Sequence, residues 1–167
     1  MKLTALQHEN PESEPISVLS ILNKTAARLR EQADGIIIDV RGRDSIISGD
    51  PELLSLLCDN LTANALHVSK PGMTVILKTE SNGFSVEDQG PGMTEDVLRH
   101  ACEPFWKADK ARTRRHGGAG LGLSLCKRIA ELHHGHLVFD SAPGKGTRVT
   151  FTISLPAVDD SVTIPMA

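Results

Sequence analysis

The chain has 167 residues, of which 40% are hydrophobic and 23% are charged, so it suits one packed core better than two domains. Its formal net charge of -3 does not favour a nucleic-acid-binding protein, which is normally basic overall or along one stripe. No apolar run approaches the roughly 18 residues of a membrane span, and the N-terminus lacks the order of a signal peptide. We therefore expect one cytoplasmic domain that binds no nucleic acid and makes no membrane contact.

The first part of the chain predicts two helices with a strand between them. Residues 1–16 are polar and contain prolines, so we expect a linker or the end of a preceding element there. Apolar positions from 16 to 29 recur at helical spacing, and the isoleucine-rich run at 35–40 indicates a buried strand. Asp50 and the proline after it are typical of a helix start, and the helical pattern continues to about Val68.

The second part predicts two hairpins with helices between them. Extended runs at 73–79 and 84–88 flank an Asn-Gly pair, which is a strong hairpin signal. A short helix is expected near 94–102, and a longer one from 121 to 134 with Gly135 as its left-handed C-terminal cap.

A polar, basic loop at 107–118 separates these two helices, and strands at 136–140 and 148–155 form the second hairpin. The predicted fold class is therefore α+β, a two-layer α/β sandwich in which a mixed sheet of about five strands carries about three helices on one face. We expect this domain to span 17–156 and a flexible tail to follow at 157–167.

The helix that starts after Asp50 carries a polar stripe. Asn60, Asn64 and His67 fall at i, i+4 and i+7, so they share one helix face. Asparagine is a middling helix former, so two of them one turn apart need either solvent or a partner. A solvated face and a ligand-binding face explain the stripe equally well. The positions expected to face the core are Leu57, Leu61, Ala65 and Val68.

A carboxylate followed by a glycine-rich turn ends the strand at 84–88. Asp88 shares a strand face with two apolar side chains, so it is expected to be buried, and a buried carboxylate needs hydrogen-bond donors. The turn contains Gly90 and Gly92, which permit positive φ and the close approach of a ligand. Alone this pattern is weak evidence, because Asp and Gly are ordinary turn residues.

A second glycine-rich run, at 117–123, opens directly into a helix. Free backbone N–H groups and the positive end of the helix dipole suit phosphate oxygens there. The run follows a basic loop rather than a strand and lacks the lysine of a P-loop, so neither the Rossmann nor the P-loop motif is present. A hinge before a helix would need the same glycines.

Taken together, four segments resemble the N, G1, F and G2 boxes of the ATP-binding domain of bacterial sensor histidine kinases. They are NLTAN at 60–64, DQGPG at 88–92, EPFWK at 103–107 and GGAGLGL at 117–123. These kinases share a superfamily, called GHKL after its members, with gyrase, heat-shock chaperones and mismatch-repair ATPases. The resemblance implies the Bergerat fold, with residues 1–16 as a linker or the end of a preceding dimerisation helix.

The resemblance also implies the cofactors ATP and Mg²⁺ and a role for each box. Asn64 is expected to coordinate Mg²⁺, Asp88 to accept a hydrogen bond from the adenine amino group, and Gly92 to shape the adenine pocket. Residues 107–118 would form a mobile lid. The expected catalytic residues are Asn60, Asn64 and Lys107. The expected nucleotide-binding residues are Asn60, Asn64, His67, Asp88, Gly90, Gly92, Met93, Phe105, Lys107, Arg112, Gly118, Ala119, Gly120, Leu121, Gly122 and Leu123.

The chain differs from the common family pattern at three positions. His67 stands where many relatives have Lys or Arg, which makes a phosphate contact weaker or pH-dependent. Val68 replaces a common aromatic residue near the nucleotide. Lys107 stands where the family often has an arginine, and lysine is a less geometrically demanding phosphate partner.

Asn60 bears on the reaction that the resemblance implies. Hydrolytic relatives and anti-sigma serine kinases carry a glutamate at this position, and an amide cannot act as a general base. A histidine acceptor is already largely neutral and nucleophilic at pH 7, so it needs no such base. A protein-histidine kinase is therefore expected. An anti-sigma-type serine kinase and a catalytically silent nucleotide-binding or interaction module remain alternatives.

The expected partners are a phosphoacceptor/dimerisation domain and the cognate response regulator. His8 lies in the polar N-terminal segment rather than in a long dimerising hairpin, so we expect the phosphoacceptor histidine outside this chain. The isolated domain is expected to be monomeric and not to phosphorylate itself. The sequence leaves open the signal sensed and whether a parent protein is membrane-anchored.

Overall fold

The computed structural model describes residues 12–104, 106 and 121–154. Within these ranges the chain forms seven strands and four α-helices, with a 3-10 turn at Arg30–Gln32. The strands are β1 (Glu14–Ser17), β2 (Ile37–Arg41), β3 (Ile46–Gly49), β4 (Thr74–Glu80), β5 (Gly83–Asp88), β6 (Gly135–Ser141) and β7 (Thr147–Ile153). The helices are α1 (Val18–Leu29), α2 (Pro51–Val68), α3 (Glu95–His100) and α4 (Gly122–Leu132). In the described part of the chain, no helix is long and apolar enough to cross a membrane.

Five strands form one mixed sheet in the order β2-β4-β5-β7-β6. β2 and β4 are parallel and joined by a crossover that contains α2, whereas all other neighbours are antiparallel. Both predicted hairpins, β4–β5 and β6–β7, are present. α1 packs on β2 and β4, α2 on β4 and β5, and α4 on β6 and β7. The predicted α+β sandwich is therefore confirmed.

The alternation of residues along the central strands sets the two faces of the sheet. Phe84 of β5 and Phe151 of β7 are fully buried beneath the helices, and their ring centroids are 5.4 Å apart. The open face instead carries cross-strand and same-strand ion pairs, such as Arg148 with Glu87 at 2.5 Å. Asp88 lies on the helix-covered face with Phe84, which places a carboxylate at the edge of the core.

Helix α2 is fixed at its first turn by two independent contacts. The Asp50 carboxylate accepts hydrogen bonds from the N–H groups of Glu52 at 2.9 Å and Leu53 at 3.0 Å, as the sequence predicts for an N-cap. The backbone N–H of Asp50 donates to Nε2 of buried His133 at 3.0 Å, and Nδ1 of His133 lies 2.7 Å from the Ile129 carbonyl oxygen. Through these two contacts the imidazole ties the end of α4 to the start of α2.

The chain before α2 contains a small ladder that the sequence did not predict. β1 and β3 pair antiparallel, so a strand begins at Glu14 within the segment expected to be a linker. Ile16 and Ile47, which face each other in this ladder, are both buried. Each strand has only four residues, and a pairing of such short, distant segments leaves little local periodicity.

The predicted role of Gly135 as a left-handed cap is wrong. His134 adopts the left-handed conformation with φ 54°, and Gly135 begins β6. A Cβ atom on Gly135 would lie 2.5 Å from the Thr152 carbonyl oxygen, so glycine is needed there for the approach of β7. Histidine tolerates the left-handed region better than most residues do.

The N-cap predicts a stability effect that is separable from function. Asp50→Ala removes the acceptor for two first-turn N–H groups and should lower the free energy of unfolding by about 1 kcal/mol. Asp50→Asn keeps a good cap and should cost much less, although both substitutions remove the same charge. Urea denaturation of the three proteins measures the difference. Equal stability of the alanine and asparagine variants would contradict the capping role.

Candidate functional site

The two asparagines of α2 lie beside the first residue of α4. Asn60 is half-buried and Asn64 is exposed, one helical turn further on. A Cβ atom built on Gly122 would lie 3.6 Å from Nδ2 and 3.7 Å from Oδ1 of Asn64, and 3.8 Å from Oδ1 of Asn60. The polar stripe therefore faces the start of a second helix rather than solvent alone.

The Asn60 side chain is held by its own helix. Its Nδ2 donates to the Leu56 carbonyl oxygen at 2.7 Å, which leaves Oδ1 on the side of Gly122. Asparagine has no titratable oxygen, so this position offers hydrogen bonding but no general base. Both asparagines present amide oxygen or nitrogen atoms to the same small volume.

Helix α4 begins at Gly122, beside this volume, and the N–H groups of its first turn have no acceptor within the helix. Within the described residues, its N-cap, Leu121, makes no side-chain capping hydrogen bond. Helix N-termini attract anions through their free N–H groups and the helix dipole. Next to two carboxamides, this end of α4 is suited to phosphate oxygens and an accompanying cation.

Asp88 lies at the other end of the site, as the last residue of β5. It is only 7% exposed, and its Oδ1 accepts a hydrogen bond from the Gly90 N–H at 2.8 Å. Burial raises the pKa of this carboxyl group, while hydrogen bonds from the Gly90 and Thr147 backbones act in the opposite direction. The predicted burial of Asp88 is confirmed, and its donors are backbone groups.

The turn after Asp88 is packed closely on both sides. Gly90 has Val68 on one side, since a Cβ on Gly90 would lie 2.8 Å from Val68 Cγ2 and 2.9 Å from Asp88 Oδ1. Gly92 has φ 69°, and a Cβ there would lie 2.0 Å from the Ala142 carbonyl oxygen. The prediction that Val68 faces the core is wrong. Its side chain is 39% exposed, because it lies at the last position of α2 against the turn.

The remaining predicted site residues divide into two groups. His67 is exposed in the last turn of α2, and Met93 follows the turn, where its N–H donates to Ser141 Oγ at 2.9 Å. Leu121 and Leu123 flank Gly122. The predictions for Phe105, Lys107, Arg112, Gly118, Ala119 and Gly120 lie outside the described residues.

The β6–β7 turn also contributes to the site, which was not predicted from the sequence. Ser141, Gly146 and Thr147 all contact the Asp88–Met93 turn or its hydrogen-bonding partners. The signal available in the sequence was the pair of glycines in GKGT at 144–147, which we interpreted only as a connection between strands.

Comparison with known proteins shows the family to which the chain belongs. Residues 49–157 match the family model of histidine kinase-, DNA gyrase B-, and HSP90-like ATPases. The chain is 32% identical over 144 residues to sensor histidine kinase WalK of Bacillus subtilis, covering 83% of this chain and 24% of WalK. It is 33% identical over 157 residues to sensor-like histidine kinase SenX3 of Mycolicibacterium smegmatis, covering 90% of this chain and 40% of SenX3.

A solved structure gives the same result. The mycobacterial sensor histidine kinase MprB superposes with a TM-score of 0.72 at 25% identity, covering 84% of this chain and 95% of that chain. The chain spans about a quarter of the length of WalK and two fifths of the length of SenX3. The chain belongs to the family of histidine kinase-, DNA gyrase B- and HSP90-like ATPases, as an ATP-binding catalytic domain of the sensor histidine kinase type.

Proposed function

We propose that this domain binds Mg²⁺-ATP and transfers the γ-phosphate to a histidine of a separate phosphoacceptor/dimerisation domain, as half of a two-component sensor kinase. The observation that carries the proposal is the meeting of Asn60 and Asn64 with the start of α4 at Gly122. At this point helix N–H groups suited to anions lie beside neutral amide oxygens that can act as metal ligands. The buried Asp88 carboxylate lies at the other end of the proposed site.

The donor set suits the proposed ligand. An amide oxygen is a hard ligand of the kind that Mg²⁺ takes, so Asn64 is the residue that would hold the metal. The first-turn N–H groups of α4 would hold phosphate oxygens, and the Asp88 carboxylate would accept from the adenine amino group. Guanine carries a carbonyl at the corresponding position, which an ionised carboxylate repels. Bound Mg²⁺-ATP would supply the transferable phosphoryl group.

Asn60 supports histidine as the acceptor. A serine hydroxyl must lose its proton during attack, whereas Asn60 offers an amide whose Nδ2 is already bonded to Leu56. A neutral imidazole attacks without that help. We retain Lys107 as a proposed catalytic residue on the strength of the sequence resemblance.

The wider context is also a proposal. Since the relatives are named sensor histidine kinases and are much longer than this chain, we infer that its partners are a phosphoacceptor/dimerisation domain and a cognate response regulator. We place the domain in the cytoplasm and expect the isolated domain to be monomeric. An anti-sigma-type serine kinase or a silent nucleotide-binding module is the alternative.

Calorimetric titration tests nucleotide binding. The chain should bind ATP more tightly with Mg²⁺ than with EDTA, and Asp88→Asn should weaken binding at least tenfold, because a neutral amide replaces the charged acceptor at the base. Asp39→Asn is the matched control, since it makes the same change on strand β2 outside the site and should bind normally. Equal affinity of wild type and Asp88→Asn would contradict the adenine assignment.

Incubation with labelled ATP separates the candidate functions. Acid-labile label should appear on an added phosphoacceptor domain and not on this chain alone. Acid-stable label on serine would support the serine kinase, and binding without transfer would support the silent module. Stable acid-labile label on the isolated chain would contradict the proposal that the acceptor lies elsewhere.

The raised pKa of Asp88 predicts a pH-dependent cost in folding stability. The cost arises because the carboxylate proposed to recognise the base is buried. Because the carboxyl group ionises less readily in the folded chain than in the unfolded chain, its ionisation lowers the free energy of unfolding. The cost is absent below the unfolded-state pKa and complete above the raised folded-state pKa. Asp88→Asn removes it. The melting temperature of the nucleotide-free variant, minus that of wild type, should therefore increase between about pH 4 and pH 7. A constant or decreasing difference would contradict the desolvation argument.

A further inference from the structure

Ser141, the last residue of β6, lies between two turns that are far apart in sequence. Its Oγ accepts a hydrogen bond from the Met93 N–H at 2.9 Å and donates to the Gly146 carbonyl oxygen at 2.8 Å. Its Oγ is also 2.9 Å from Oγ1 of Thr147, the first residue of β7. One hydroxyl thus connects the turn after Asp88 with both ends of the β6–β7 turn.

The hydrogen-bonding capacity of this hydroxyl is fully used. A serine hydroxyl has one proton to donate and two lone pairs to accept with. The proton goes to Gly146, so the Thr147 hydroxyl donates to Ser141, and the Met93 N–H fills the second lone pair. Loss of the hydroxyl would leave the Met93 N–H and the Gly146 carbonyl without this partner.

The backbones of the two turns interlock around Ser141. A Cβ atom on Gly146 would lie 2.0 Å from the Asp88 carbonyl oxygen. A Cβ atom on Gly92 would likewise lie 2.0 Å from the Ala142 carbonyl oxygen. The Gly144 N–H donates to the Pro91 carbonyl oxygen at 2.7 Å. Any shift of the β6–β7 turn therefore moves the turn that carries Gly90 and Gly92.

The outer side of the β6–β7 turn, at residues 143–145, is exposed. It borders an open pocket of about 260 Å³, whose lining includes the charged residues Glu87, Asp140, Lys145 and Arg148 as well as Ser141. In such a setting, directed hydrogen bonds fix the position of the turn more than apolar contacts do.

We propose that Ser141 is a positioning residue for base recognition. Its hydroxyl fixes the position of the turn from Asp88 to Met93, and so the surroundings of the Asp88 carboxylate, which accepts from adenine. This inference rests on the proposed function, because it assumes that adenine binds at Asp88. Ser141 does not itself touch the base. It acts through the hydrogen bond that it accepts from the Met93 N–H and through Thr147, which pairs with Asp88 where β7 meets β5.

Three variants test this role. Ser141→Ala should lower ATP affinity about tenfold, because the turn loses three hydrogen bonds. Calorimetry measures this binding and does not depend on catalysis. Ser141→Thr keeps the hydroxyl and should bind within about twofold of wild type. Ser45→Ala is the matched control: Ser45 is also partly buried and donates to a backbone carbonyl, that of Glu80 at 2.9 Å, but lies away from the site. It should bind ATP normally.

Amide hydrogen exchange gives a second readout. In the nucleotide-free protein, exchange at Met93 should quicken in Ser141→Ala and recover in Ser141→Thr. If Ser141→Ala does not fold, Ser141→Cys takes its place, since a thiol of similar shape is a much weaker hydrogen-bonding group.

The outcomes distinguish this inference from the function beneath it. ATP binding by Ser141→Ala within twofold of wild type, while Asp88→Asn loses binding, would overturn the positioning role and leave the proposed function intact. Equal loss in Ser141→Ala and Ser45→Ala would reduce the effect to general stability and also overturn it. Failure of wild type to bind ATP would overturn both.

Discussion

Two glycine-containing turns lock together through their backbones, and the position of Asp88, the proposed adenine acceptor, depends on that contact. Gly92 of one turn and Gly146 of the other each stand where a Cβ atom would lie 2.0 Å from a carbonyl oxygen of the opposite turn. No side chain fits at either position. β5 and β7 are adjacent antiparallel strands, so the contact extends their pairing past the end of the sheet and holds Asp88 at the edge of the core.

The proposed phosphate end of the site depends on a different pair of elements. α4 is joined to α2 at both ends, by buried His133 beside the α2 N-cap and by Gly122 beside the two asparagines. Val68, at the end of α2, reaches the turn after Asp88, so one helix connects the two ends of the site. The domain thus holds a buried carboxylate and the N-terminus of a helix at a fixed separation, as the proposed binding of an elongated nucleotide requires.

Much of this could be predicted from the sequence because the signals are local. The Asp50 cap, the Asn-Gly hairpin and the alternation that buries Asp88 each involve neighbouring residues, and each is confirmed. The misses involve contacts between distant segments. The β1–β3 ladder, the glycine requirement at residue 135 and the Ser141 hydrogen bonds all depend on a partner elsewhere in the chain. Val68 was misassigned because helical spacing does not reveal where a neighbouring layer ends.

We propose that phosphates and metal bind where α2 meets α4. Mn²⁺ accepts the same oxygen ligands as Mg²⁺. It also broadens the NMR signals of nearby nuclei, and this broadening falls steeply as the distance from the ion increases. With Mn²⁺-ATP bound, broadening should be strongest at the Asn64 side-chain amide and at the backbone amides of Gly122 and Leu123. Strongest broadening at any other part of the sheet or helices, or none on addition of Mn²⁺-ATP, would contradict the account.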